Sequence, residues 1–136
     1  MVSQTPDGHD NLTWGLSSGS TAFNLINEAT PNDSSFISAG TGPIPAAQRV
    51  TLSALPLSVT VVRGLMTYAR ARKTDGGDAN LQVGLVSGAS TDAGDIKPLT
   101  TSYSYYNDIV EVDPATGVSW LPLAVNAAIL RFNRTL

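Results

Sequence analysis

Residues 59–120 constrain the fold of this chain more than any other part. A long run rich in β-branched residues, Val59-Thr-Val-Val-Arg-Gly-Leu-Met-Thr-Tyr-Ala-Arg-Ala-Arg72, leads into the polar turn Lys73-Thr-Asp-Gly-Gly-Asp78. A second run, Leu81-Gln-Val-Gly-Leu-Val86, comes straight back. After a Gly/Asp-rich loop, a tyrosine-rich strand begins at Thr100-Thr-Ser-Tyr-Ser-Tyr-Tyr106. It runs through Ile109 and Val110 to the turn Asp113-Pro-Ala-Thr-Gly117 and then Trp120. Strand, Asp-Gly turn, strand, loop, strand and Pro-Gly turn is the order of an antiparallel β-sandwich. The expected fold is all-β: a single antiparallel sandwich, jelly-roll-like, with at most one short helix near the C-terminus. No residue in this stretch looks like a catalyst, so function is to be sought in surfaces.

Parity refines the picture. Val59, Val61, Leu65, Ala69 and Ala71 share one side of the long run, and Val62, Met66 and Tyr68 share the other. Both sides are apolar in the first half, which predicts a central strand covered on both faces there and emerging into solvent near Arg70 and Arg72. Gly64 marks a bulge or a close backbone approach. Asp75-Gly76-Gly77 offers the positive φ values of a hairpin turn. Residues 21–27 and 48–55 alternate as strands, Phe36 and Ile37 head a short one, and Ile129-Leu-Arg-Phe-Asn133 closes the chain as another. Gly40-Thr-Gly-Pro-Ile-Pro45 denies both helix and ladder. Only the stretch from Trp120 to Ile129 fits a helix, with Pro122 in its first turn.

Residues 1–20 read as an extended N-terminal arm, and residues 21–136 as the sandwich domain. The arm is polar and turn-rich, with Trp14 as its large apolar anchor. Neighbouring subunits would hold such an arm, or it would fold back on its own domain.

Composition bounds the function. A chain of 136 residues is one domain. With no cysteine there are no disulfides or thiolate metal sites. The net charge is −3, and apart from Arg70, Arg72 and Lys73 the basic residues are dispersed, so no nucleic-acid partner is expected. No apolar run approaches the roughly 20 residues of a membrane span. The first ten residues lack the basic and apolar regions of a signal peptide, so synthesis in a cytoplasm is expected, with retention there until release. Only 14% of residues are charged. That leaves a surface of small polar and apolar groups, of the kind partner contacts cover or a merely bland soluble one.

The chemistry-bearing residues are sparse. His9, the only histidine, stands between Asp7 and Asp10 with no nucleophile, and reads as a solvated loop residue. Asp75/Asp78 and Asp92/Asp95 are Asp-x-x-Asp pairs beside glycine. They read as turn formers, with calcium as the alternative, because neither has the ligand ladder of a dedicated calcium loop. Three Asn-x-Ser/Thr tripeptides occur without a secretory signal and read as chance matches. Tyr103 and Tyr105 share one face of their strand and Tyr106 lies on the other. One parity belongs to the core, and the other forms either a protein-contact surface or a sugar-stacking platform. The partner-contact candidates are therefore Trp14, Tyr103, Tyr105, Tyr106 and Trp120.

An ordered set of segments carries a resemblance. Ile26-Asn-Glu-Ala-Thr-Pro-Asn-Asp-Ser-Ser-Phe-Ile37, then Ala69-Arg-Ala-Arg-Lys-Thr-Asp-Gly-Gly77, then Leu99-Thr-Thr-Ser-Tyr-Ser-Tyr-Tyr106, lead to Asp113-Pro-Ala-Thr-Gly-Val-Ser-Trp120 and Ala124-Val-Asn-Ala127. Over residues 24–128 the chain resembles small β-sandwich virion structural proteins of tailed bacteriophages. It departs from that pattern at Leu130-Arg-Phe-Asn-Arg134, where the family has a glycine-containing ending. The resemblance implies a non-enzymatic protein with no catalytic residues, cofactor or metal. It implies a structural or attachment role without deciding where on the particle. Together with the low charge, the absence of a catalyst and the N-terminal arm, it leads to the expectation of a decoration (cement) protein on the outer surface of the head, with the major capsid protein and copies of itself as partners and no membrane partner. The expected assembly is a homo-oligomer, trimeric if it caps local three-fold positions. The alternative is a tail-tip or fibre module that binds a host-surface glycan or receptor.

Overall fold

The computed structural model describes residues 1–40, 43, 44 and 46–136. In chain order the elements are β1 (Pro6–His9), β2 (Gly15–Leu16), a 3-10 turn (Phe23–Leu25), β3 (Ile37–Ser38), β4 (Gln48–Leu52), β5 (Leu65–Ala71), β6 (Asn80–Ser87), β7 (Ser90–Asp92), β8 (Lys97–Pro98), β9 (Ser104–Val110), α1 (Pro122–Ala127) and β10 (Ile129–Arg134). Strand accounts for 36% and helix for 7%, so the chain is an all-β sandwich with one short helix near its C-terminus. Pro122 takes the first turn of that helix, and Val125 is its buried contact.

The main sheet runs β1-β4-β10-β6-β7, with β8 pairing the start of β6. Alternation builds its core face. Leu130 lies opposite Val50 on one side and Leu85 on the other, and Phe132 lies opposite Gln48 and Val83. All six are buried. Directly opposed residues of antiparallel strands point the same way, so two rows, apolar except for Gln48, cross three strands on one face. β5 and β9 form a separate two-stranded sheet over β6. Thr67 Oγ1 donates to the Val83 carbonyl at 2.9 Å and ties the layers together. Val110, Trp120, Val125 and Ala128 join the sheet residues in one core cluster.

Several expectations are corrected. The run 59–72 is not one strand. Only Leu65–Ala71 pairs, and Val61 before it is 68% exposed. β5 is not central either, and β6 and β10 hold that place. Gly64 lies outside β5, and a Cβ there would sit 3.6 Å from Glu111 Cα, an ordinary contact that requires neither bulge nor close approach. Asp75-Gly76-Gly77 does not close a hairpin. Both edges of β6 are taken, by β10 on one side and by β7 and β8 on the other, so β5 has no edge there to pair with. The connection crosses between layers instead, and neither of its glycines has a positive φ. A tight hairpin turn with a positive φ is found instead at Gly88, between β6 and β7. Residues 21–27 hold the 3-10 turn Phe23–Leu25 rather than a strand. Ala22 and Leu25, both buried, fall three residues apart, which is one turn of that helix. The break expected over residues 40–45 lies in part outside the described residues.

The first 20 residues are folded back on the sandwich. β1 is an edge of the main sheet through its pairing with β4, and β2 pairs with β3. Gln48 secures the segment from within the sheet: its Oε1 accepts from the backbone N–H groups of Thr13 and Trp14 at 3.0 and 3.2 Å.

Candidate binding face

The register of β5 with β9 sorts their side chains onto two faces. Leu65 with Val110, Thr67 with Asp108 and Ala69 with Tyr106 face the core sheet; Met66 with Ile109, Tyr68 with Asn107 and Arg70 with Tyr105 face outward. The outward face is open. Met66, Tyr68, Tyr105 and Ile109 are 52%, 53%, 55% and 64% exposed, although each is large and mostly apolar.

Its side chains touch in a continuous row. The Tyr103 ring lies 4.2 Å from Arg70 Cζ and 4.9 Å from Arg72 Cζ. Arg70 Cζ is 5.9 Å from the Tyr105 ring, and Tyr105 stacks on Tyr68 at 5.1 Å with planes 12° apart. Beyond Tyr68, Asn107 Nδ2 meets Met66 Sδ at 3.7 Å. A guanidinium over an aromatic face is held by the ring quadrupole, and offset rings attract for the same reason. Asp33, from the loop before β3, takes both arms of the Arg70 guanidinium, with Oδ2 3.3 Å from Nη2. That pairing fixes the plane in which the guanidinium lies. Desolvation by packed neighbours, then the Tyr105 hydroxyl, raise the Tyr68 phenol above its ordinary value. The face offers flat apolar area, phenol hydroxyls and guanidinium groups, the mixture found at the centres of protein contacts.

The structure distributes the expected contact residues unevenly. Tyr103 and Tyr105 belong to the outward row. Tyr106 is half-buried on the inner side, packs on the core and accepts from the Thr100 N–H at 3.3 Å. Trp120 is 2% exposed, with its indole N–H donating to the Val110 carbonyl, so it is core and presents nothing to a partner. Trp14 is half-buried, packed on Phe132 at 6.4 Å, and donates to the Ala46 carbonyl, so it anchors its own segment. Tyr68, Arg70, Met66 and Ile109 were not singled out from sequence. Their signal was parity, since Met66, Tyr68, Arg70 and Arg72 share a side, and a side ending in arginines is a solvent side.

The aspartates serve turns. Asp75 Oδ1 accepts from the Gly77 N–H at 3.0 Å, and Asp92 Oδ1 accepts from the Gly94 N–H at 3.0 Å. Among the described residues no three His, Asp or Glu side chains come together as a metal-holding group. His9 is exposed, 6.1 Å from the Phe23 ring. No helix among the described residues is long and apolar enough to cross a membrane. Comparison with known protein families, characterised proteins and solved structures finds no match for this chain.

Proposed function

We propose that this protein is a non-enzymatic structural protein of a tailed-phage virion, a decoration protein that binds the outer head shell and reinforces it against internal DNA pressure. The observation that carries the binding role is the open outward face of β5 and β9. Large apolar side chains gathered on one flat, solvated patch are what a partner surface covers. The virion setting rests on the resemblance of residues 24–128 to small phage sandwich proteins. In this reading many copies bridge adjacent shell subunits, and modest contacts add through multivalency. The partners are the major capsid protein and neighbouring copies, in a closed homo-oligomer or an array. Closure also covers strand edges that an open sandwich leaves exposed. Antibody labelling of intact particles tests it: signal on heads is expected, and signal confined to tails overturns it.

One observation supports a second reading. Tyr103 and Tyr105 stand beside Arg70 and Asn107, so aromatic rings are flanked by hydrogen-bonding groups, as a sugar ring and its hydroxyls require. A tail-tip module would use that row on a host-surface glycan. The Tyr68–Tyr105 stack and the Arg70 cover on Tyr103 weigh against it, because they occupy ring faces that a sugar needs. Calorimetric titration with host polysaccharide decides between the two. No saturable heat, together with normal adsorption of virions lacking the protein, excludes the glycan reading.

A further inference from the structure

The second layer of the sandwich is incomplete. Two strands, β5 and β9, lie over the longer β1-β4-β10-β6-β7 sheet. Beside β5 opens a cavity of about 1580 Å³, lined by inner-face residues including Leu81, Leu130 and Phe132 and also by Met66, Tyr68 and Arg70 of the outward face. That exceeds the roughly 300–1,000 Å³ of common small-molecule sites. β5 and residues 59–64 before it line the same cavity. Among the described residues β5 pairs with no strand except β9, and residues 59–64 belong to no strand. Yet Val59-Thr-Val-Val62 is among the most strand-prone stretches of the sequence. A two-stranded sheet is marginal by itself and ordinarily needs a third strand. An apolar cavity, an open strand edge beside it and a strand-prone approach to that edge therefore coincide.

The edge also has a sign. Residues 59–74 contain Arg63, Arg70, Arg72 and Lys73 and no acidic residue, in a chain with eight basic residues and a net charge of −3. The chain itself shows what this edge accepts, because Asp33 sits on the Arg70 guanidinium. A second copy would bring the same cations to the edge, and basic edge residues oppose such self-pairing.

We infer that β5 accepts an extended acidic segment of a partner protein as the third strand of its sheet. The backbone of that segment pairs along the open edge. Alternate apolar side chains enter the cavity, and the carboxylates between them face outward beside Arg70 and Arg72. This site is the edge of β5, which shares Arg70 and Arg72 with the outward face described above, and it does not depend on the virion setting.

The test uses the full chain and three fluorescein-labelled ten-residue peptides, read by fluorescence anisotropy. One alternates valine and glutamate, one alternates valine and lysine, and one is the valine–glutamate sequence fully N-methylated, so that it cannot pair as a strand. The first is expected to bind saturably, and the other two at least about tenfold more weakly. Hydrogen exchange with the first peptide bound should show protection over residues 59–71. Arg72→Glu, at an exposed position, should weaken the first peptide about tenfold and Arg72→Gln less, with both variants keeping the parent's near-ultraviolet spectrum. No saturable binding of the valine–glutamate peptide up to millimolar concentration overturns the inference. So does equal binding of all three peptides, protection elsewhere in the chain, or indifference to both Arg72 substitutions.

Discussion

Tyr68 and Tyr105 stack on the open face of the β5–β9 sheet, with ring centroids 5.1 Å apart and planes 12° from parallel. The register sets Tyr105 opposite Arg70 and Tyr68 opposite Asn107, so the contact is diagonal and joins neighbouring rungs of the ladder. Each ring shelters part of the other while both stay more than half exposed, at 53% and 55%. A tyrosine has two side-chain torsions, so holding a pair this way presents rigid contact area at little further entropic cost on binding.

That stack should be measurable as a coupling. Tyr68→Ala and Tyr105→Ala, singly and together, should give an interaction of about 0.5–1 kcal/mol in a double-mutant cycle followed by urea unfolding. Strict additivity would mean that the two rings do not touch in solution.

Among the described glycines, Gly84 is the one that neighbouring backbone approaches most closely. A Cβ there would overlap the Asp92 carbonyl oxygen and the Ala93 backbone, because the chain leaving β7 folds over β6. Gly84→Ala should cost about 3 kcal/mol or more, or abolish folding. Gly64→Ala is the control, with its nearest atom at 3.6 Å, and should change stability by less than about 1 kcal/mol. Similar unfolding midpoints for the two variants would contradict this packing.

Asp113 gives the chain an acid-sensitive turn. The Ser87 hydroxyl, then the Ala115 N–H, hold its carboxyl below the ordinary aspartate value. A folded value below that of the unfolded chain, about 3.9, means the carboxylate contributes fully above that pH. Its contribution is lost as pH falls through the lower folded value. Asp113→Asn should cost about 1–2 kcal/mol at pH 7, and the gap from the parent should narrow below about pH 4. A gap that stays constant down to pH 2 would show that the charge of Asp113 contributes nothing.

The N-terminal segment should behave as part of the sheet. Deleting residues 1–13 removes β1 and the Asn11 side chain, whose Oδ1 accepts from the Arg49 N–H at 2.7 Å. Trp14→Ala removes the packing on Phe132 and should cost about 2 kcal/mol. Both variants should unfold at lower urea concentration than the parent. Unchanged midpoints would mean that the segment detaches in solution.

Much of the fold was legible because local rules agreed with the final packing. β6, β9 and β10 appear where alternation places them, and Pro122 starts the helix. The partner of β5 was not legible. That choice depends on which edges of β6 are free, and β10 reaches β6 from the far end of the chain. The covered side of residues 59–71 was equally hidden, because both parities are apolar up to Met66. Thr67, a polar residue, turned out to be buried by its bond to the Val83 carbonyl. At the site, parity paired Tyr103 with Tyr105 correctly. Only the register across to β5 reveals that Tyr68 and Arg70 complete the row. Trp120 looked like a surface aromatic because nothing local shows that its indole N–H would find the Val110 carbonyl.

The most direct measurement is binding of purified protein to phage heads that lack it, comparing the parent with Tyr68→Ala/Tyr105→Ala. Both side chains are exposed, so the double variant should fold like the parent by circular dichroism. The account predicts that it binds heads at least about tenfold more weakly, since central aromatic residues dominate interface energetics. Binding equal to the parent's by a correctly folded double variant would contradict the assignment of the β5–β9 face as the attachment surface.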